Sequence, residues 1–322
     1  MNALTCWVIT DGKPGMENQC RGLVEAMGIE PVIKRVHLRS PWRQLTPFLR
    51  IGNRFALSPQ GDPIRPPWPD LVIASGRQSI APSLAIKKAS RGRTFTVQIQ
   101  DPQISPRHFD LVIVPRHDRL RGPNVLVMRG AVHRVTPAML AAAAEAHGPR
   151  LAHLRHPRIA VLVGGSNAVY QLTPTIMGDV AEKLAGFARD RGAGLMVTPS
   201  RRTGADNEAI LRARLSGPNA EVWDGSGENP YFAYLALADV IVCTCDSVSM
   251  VSEACSTGKP VYVIELDGGS PKFRAFLDGL YRDGIARPFT GELESWSYPP
   301  LNETREIAET IRHRLLARRG RG

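Results

Sequence analysis

No stretch of this 322-residue chain is apolar for long enough to cross a bilayer. The runs at residues 71–74, 111–114 and 159–163 fall far short of the roughly 20 residues that a spanning helix needs. Residues 1–10 have neither the basic start nor the long apolar stretch of a signal peptide, so a cytoplasmic location is expected. Cysteine is scarce. The five present, Cys6, Cys20, Cys243, Cys245 and Cys255, are too few for a disulfide framework in a chain this long. Cys243 and Cys245 stand one residue apart with no matching Cys or His pair, so buried strand positions are expected rather than a metal site. No period marks a solenoid, and 43% hydrophobic with 22% charged residues excludes wholesale disorder.

What the chain does have is positive charge, unevenly placed. The formal net charge is +11; residues 1–150 carry 21 Lys+Arg against 10 Asp+Glu, whereas residues 151–322 carry 20 against 20. An excess confined to one half points to an anionic partner for that half: a membrane surface, a phosphorylated acceptor or nucleic acid. No recognition helix, RRM or zinc module appears, so nucleic acid is set aside.

Apolar segments of strand length alternate with helical stretches in both halves, at 6–10, 71–74, 94–99, 111–114 and 125–128, then at 159–163, 194–197, 239–243 and 260–264. That is the rhythm of a parallel sheet, and unbroken apolar strands mean that helices cover both sheet faces. The expected fold is therefore α/β, two doubly wound parallel-sheet (Rossmann-like) domains facing a cleft. An alanine-rich helix at 137–146 runs into His147-Gly148-Pro149-Arg150, so the hinge is expected near residue 150, between domains 1–150 and 151–322, the final helix packing back on the first domain. In such sheets ligands sit outside the carboxyl ends of the strands.

The strongest local signal spans residues 238–258. A buried strand ends at Cys243-Thr244-Cys245-Asp246, Ser247 to Met250 open a helix, and Gly258-Lys259-Pro260 closes it. Free N–H groups and the positive end of the helix dipole there suit a diphosphate, and Glu253, one turn on, is placed to accept from ribose hydroxyls. Equally, Asp246 or Ser247 can simply cap the helix. Two more strand ends are anion-friendly. Gly164-Gly165-Ser166-Asn167 offers close backbone approach, and Ser200-Arg201-Arg202-Thr203 offers two adjacent guanidinium groups.

In the first half, Asp11-Gly12-Lys13-Pro14-Gly15 and Gly76-Arg77-Gln78 follow strands and form a plausible acceptor edge through Gly12, Lys13, Gly15, Arg77 and Gln78. Asp11, Asp101 and His117 are the general-base candidates, since deprotonating a sugar hydroxyl needs a carboxylate or imidazole in reach; each can instead cap its loop. Residues 34–55 interleave Lys34, Arg35, Arg39, Arg43, Arg50 and Arg54 with Trp42, Phe48, Leu49 and Phe55. Such a stretch reads either as a peripheral membrane patch or as a helix packed on its own sheet with snorkelling arginines.

These motifs carry a resemblance. Thr10-Asp11-Gly12-Lys13-Pro14-Gly15 with Glu17-Asn18-Gln19, Ala74-Ser75-Gly76-Arg77, Gln100-Asp101-Pro102, Ser200-Arg201-Arg202-Thr203, Asn229-Pro230-Tyr231 and Asp246-Ser247-Val248-Ser249-Met250-Val251-Ser252-Glu253-Ala254 resemble the mitochondrial-fission Elm-like family, across nearly the whole chain. That family is placed in the GT-B glycosyltransferase-like clan. Residues 239–263 also look like the donor segment of the bacterial enzyme that adds N-acetylglucosamine to a lipid-linked peptidoglycan precursor. The resemblance implies phosphate contacts at Ser247, Ser249 and Met250 and a ribose contact at Glu253, with Asn229 in the same site. This chain has Asp246-Ser247 where many such enzymes have a small residue and glycine. The family takes its name from a plant member that recruits a dynamin-like protein, so the resemblance also implies a non-enzymatic reading.

The expected function is a GT-B glycosyltransferase that moves a sugar from a nucleoside-diphosphate sugar to an anionic or membrane-linked acceptor, at the inner face of the membrane. The resemblance also implies no tightly bound cofactor or metal, since GT-B enzymes generally neutralise the leaving diphosphate with helix N-termini and basic side chains, a need that Arg201 and Arg202 fit. The alternatives are a sugar-nucleotide epimerase or hydrolase, and a non-catalytic GT-B-fold adaptor.

Overall fold

The computed structural model describes residues 4–49, 51–52 and 55–320; Arg50 and Arg54 lie outside the described residues. The chain forms two compact units. Unit 1 runs to Arg134 and resumes at Asn302, and unit 2 is Val135–Leu301.

Unit 1 contains β1 (Cys6–Thr10), α1 (Pro14–Ala26), β2 (Pro31–Arg35), the one-turn helix α2 (Trp42–Leu45), β3 (Leu71–Ser75), α3 (Ile80–Ala89), β4 (Phe95–Ile99), β5 (Leu111–Pro115) and β6 (Val125–Met128). The strands pair in parallel in the order β2-β1-β3-β4-β5-β6. Every residue of β1, β3, β4 and β5 is buried, because helices cover both sheet faces, and this is why those strands read as unbroken apolar runs.

Unit 2 opens with α4 (Pro137–Leu151) and continues with β7 (Arg158–Val163), β8 (Tyr170–Gln171), α5 (Pro174–Arg191), β9 (Gly194–Pro199), α6 (Ala205–Leu215), β10 (Ala220–Val222) and α7 (Tyr231–Leu237). There follow β11 (Val240–Thr244), α8 (Val248–Cys255), β12 (Val261–Ile264), β13 (Asp267–Gly268), α9 (Pro271–Arg282) and β14 (Ala286–Pro288). Its six-stranded parallel sheet has the order β10-β9-β7-β11-β12-β14, and β8 pairs antiparallel with β13 in a separate ribbon. Three helices begin alike. Thr136, Thr173 and Ser270 each accept the backbone N–H three residues on, and a proline follows whose missing N–H costs nothing there.

The last helix, α10 (Thr304–Arg319), belongs to unit 1. Its Ile307, Ala308, Ile311 and Leu315 are buried with Cys20, Leu23, Val24 and Met27 of α1. Arg312 donates to the Met27 carbonyl, and Arg318 to Asp110 Oδ1 at 2.6 Å. The division between units does not fall near residue 150. Helix α4 runs through Gly148 and Pro149 to Leu151 and packs on α7 of unit 2. Pro149 sits in the last turn, where it removes one intrahelical hydrogen bond without ending the helix. Moving α4 and α10 to their units sharpens the charge division to 26 Lys+Arg against 12 Asp+Glu in unit 1 and 15 against 18 in unit 2.

β2, β10 and β14 had no counterpart in the apolar pattern. All three lie at a sheet edge or beside one end, and each carries charge, as with Lys34-Arg35, Glu221 and Arg287. An edge strand is half solvated and need not be apolar. Among the described residues, no helix is long and apolar enough to cross a membrane.

Candidate functional site

The carboxyl ends of β9, β7 and β11, three neighbouring strands of unit 2, bring their loops together around Asp246. Its side chain is 0% exposed and accepts three hydrogen bonds: from Thr244 Oγ1 at 2.5 Å, from the Gly165 N–H at 3.2 Å and from an Arg202 guanidinium nitrogen at 2.6 Å. Thr244 Oγ1 in turn accepts the Gly164 N–H at 2.8 Å. Asp246 is thus the clasp of three loops, and the Arg202 guanidinium is fixed by it. That is the physical content of finding Asp where a small residue would expose more backbone.

Gly164 and Gly165 are required by this packing. A Cβ on Gly164 would stand 2.1 Å from Asp246 Oδ1, and one on Gly165 1.9 Å from the Arg202 carbonyl oxygen. The close approach expected for a ligand is made by the protein's own groups. Ser200 Oγ and Thr203 Oγ1 both donate to the Gly164 carbonyl, at 2.7 and 2.6 Å. Asn167 donates to the Asp246 carbonyl at 3.2 Å and accepts the Val169 and Tyr170 N–H groups, while Ser166 Oγ accepts the Leu172 N–H. Ser247 caps α8 by accepting the Met250 N–H at 3.3 Å.

Around that scaffold, Arg201 is exposed, the Arg202 side chain is 42% exposed, and Ser249 and Met250 are half-buried in the first turn of α8. On α8, Glu253 Oε2 accepts the Tyr231 hydroxyl at 2.6 Å. Burial, and then the Glu253 carboxylate, push the Tyr231 phenol well above its ordinary range, so it remains a donor at neutral pH. Asn229 Oδ1 accepts the Tyr231 N–H at 2.9 Å and lies 3.5 Å from Thr198 Oγ1, which ties the start of α7 to the end of β9.

On the β12 side of the same turn, a cavity of about 380 Å³ is lined by Tyr170, Cys245, Glu265, Arg274, Asp278 and Tyr281, among others. The Tyr281 oxygen is buried with no hydrogen-bond partner among the described residues. Sequence reasoning missed this group entirely. Its members come from the β8–β13 ribbon, two strand ends and α9, and no local pattern joins them.

In unit 1 the candidates lie at the carboxyl edge of the sheet but spread across it. Asp11 follows β1 and is paired with Lys13 at 2.8 Å. Gly12, with φ of +82°, turns the chain there, and Gly15 is exposed in the first turn of α1. Arg77 and Gln78 follow β3, where Gly76, at φ +86°, lets the turn press on Met16. Asp101 follows β4 and accepts the Gln103 N–H at 2.8 Å, and half-buried His117 follows β5. Strands about 4.8 Å apart put the β1 and β5 ends about 14 Å from each other, so Asp11 and His117 cannot serve one bond, whereas Asp101 and His117 stand on neighbouring strands.

Two parallel six-stranded sheets with helices on both faces, in two units, define the GT-B fold. The chain belongs to the family described as Mitochondrial fission ELM1, whose model matches residues 14–315. A relative in Arabidopsis thaliana, mitochondrial fission protein ELM1, is 31% identical over 97% of this chain and 91% of its own length. The UDP-GlcNAc 2-epimerase of Methanocaldococcus jannaschii is similar in structure, with a TM-score of 0.60 at 11% identity over 97% of this chain and 99% of that one. A structure of that enzyme in complex with UDP-GlcNAc and UDP aligns with a TM-score of 0.54 at 10% identity, covering 97% and 99% of the two chains. The glycosyltransferase SnogD of Streptomyces nogalater aligns with a TM-score of 0.50 at 19% identity, covering 98% and 95%.

Proposed function

We propose that unit 2 binds a nucleoside-diphosphate sugar at the start of α8, and that the protein transfers the sugar to an anionic or membrane-linked acceptor held by unit 1. The observation that carries this reading is the clasp around Asp246, which fixes Arg202 beside a helix N-terminus. A pre-positioned guanidinium and oriented N–H groups are what a developing diphosphate charge requires. Arg201 adds a second cation, and Glu253 with Tyr231 meets the ribose. The sugar end extends toward the cavity at Cys245 and Glu265. In unit 1, Gly12, Lys13, Gly15, Arg77 and Gln78 receive the acceptor, and a base from among Asp11, Asp101 and His117 takes its proton. No tightly bound cofactor is needed.

The test is calorimetric titration of the full chain with UDP-, GDP-, ADP- and CMP-linked sugars. One of them is expected to bind, and Arg202→Ala to weaken it about tenfold or more. No heat from any donor at saturation sinks the reading. The 31%-identical relative is named for mitochondrial fission and not for a transfer reaction, and that favours a second reading, a non-catalytic adaptor. An Arg202→Ala/Glu253→Ala variant that keeps the full cellular phenotype would favour that one.

A further inference from the structure

The stretch between β2 and β3 stands apart from the rest of the surface in two independent respects. Residues 31–61 contain six Lys or Arg and no Asp or Glu. Of the eight large hydrophobic side chains exposed among the described residues, four fall between residues 45 and 55: Leu45 at 51%, Phe48 at 69%, Ile51 at 84% and Phe55 at 53%. Single exposed apolar residues are ordinary, but a cluster marks a surface that water does not normally cover.

The lobe that carries them is anchored from below. Trp42 packs against buried Leu38, Ala56 and Ala81, and its indole N–H donates to the Ile51 carbonyl at 3.0 Å. Gly52, at φ +67°, lies close enough that an added Cβ would be 3.2 Å from the Trp42 ring. Thr46 is buried and donates to the Arg77 carbonyl at 3.4 Å. Arg39, Arg43 and Arg77 are exposed around this base, where Arg39 grips the Leu57 carbonyl and Arg77 reaches the Arg43 carbonyl. The lobe thus has a fixed foot, a basic collar and an apolar tip.

We propose that this lobe docks on an anionic lipid bilayer, with Leu45, Phe48 and Ile51 entering the boundary between headgroups and acyl chains and Arg39, Arg43 and Arg77 meeting lipid phosphates. Charge complementarity selects this occupant. A stretch of 31 residues without one carboxylate, on a unit with 26 basic against 12 acidic residues, suits a continuous anionic surface. The proposal goes beyond the donor site, which does not depend on it.

The experiment is co-sedimentation of the full chain with phosphatidylcholine vesicles, alone and mixed with phosphatidylglycerol, at low and high salt. Binding is expected only to the mixed vesicles, weakening with salt. Phe48→Ser/Ile51→Ser should lower it about tenfold or more, while thermal stability and nucleotide-sugar titration stay as in the native protein. Three results overturn the proposal: no binding to mixed vesicles, equal binding by the double variant, or equal binding to neutral vesicles. Loss of a concentration-dependent dimer in the variant, with no vesicle binding by either protein, would assign the tip to a second copy instead.

Discussion

Replacing Asp246 by Asn tests whether the clasp holds unit 2 together. The native carboxylate is 0% exposed and takes three donors, one of them a guanidinium at 2.6 Å. Asn keeps one acceptor oxygen and turns an NH₂ group toward donors. Removing one partner of a buried ion pair costs about 3–5 kcal/mol. The Arg202 side chain is 42% exposed, however, so water takes up part of the stranded charge. The expected loss is therefore at the lower end, about 3 kcal/mol. At about 2–4 °C per kcal/mol for a unit of this size, Tm should drop by about 6–12 °C. Urea unfolding followed by circular dichroism gives the free energy, and calorimetry gives Tm. Arg202→Met leaves the buried carboxylate with its hydroxyl and amide donors but no cation, and the double-mutant cycle should return a coupling of about 1.5 kcal/mol or more. A loss below about 1 kcal/mol in Asp246→Asn, or an additive cycle, would refute the idea that this pair organises the three loops.

Two further outcomes follow from the same packing. Gly164→Ala should cost about 2–4 kcal/mol and abolish donor binding together with it, because its Cβ would stand 2.1 Å from Asp246 Oδ1. Gly186→Ala, inside α5 with nothing within 4 Å of the added carbon, should stabilise by about 0.5–1 kcal/mol, and both shifts are read from urea midpoints. The chain should also lose stability in alkali. All five thiols are buried, and burial pushes Cys6 from 9.0 up to about 12 and Cys245 to about 11. Unfolded thiols release protons that the folded ones keep, so the unfolded state binds fewer protons and stability falls as pH rises from 9 toward 12. Lys259, donating to the Leu235 and Ala236 carbonyls and held down to about 8 by burial, acts oppositely between pH 8 and its ordinary 10.5. Lys259→Met should therefore steepen the fall, and a urea midpoint that stays level from pH 9 to 11 in that variant would contradict the assignment.

Central strands were legible because both their faces are buried, which forces apolar side chains at every position. Edge strands such as β2, with Lys34 and Arg35, carry no such constraint and were not. The turn at Asp246-Ser247 was legible as a cap, and Ser247 is one. The role of Asp246 was not, because two of its donors lie 44 and 81 residues away. Pro149 misled for the opposite reason. A proline near a helix end looks like a boundary in sequence, yet the packing of α4 on α7 carries the helix past it.

By itself, then, the sequence determined the α/β class, the strand–turn–helix at 238–258 and the concentration of charge in one half, since these depend on local burial, capping and composition. Only the tertiary structure decided which residues of α10 and α1 bury one another, that Gly164 and Gly165 make room for Asp246 and Arg202, and that Tyr281 shares a cavity with Tyr170. Each of those rests on groups far apart in the chain, which meet only when adjacent parallel strands bring their carboxyl ends side by side or when a terminal helix returns to the sheet it covers.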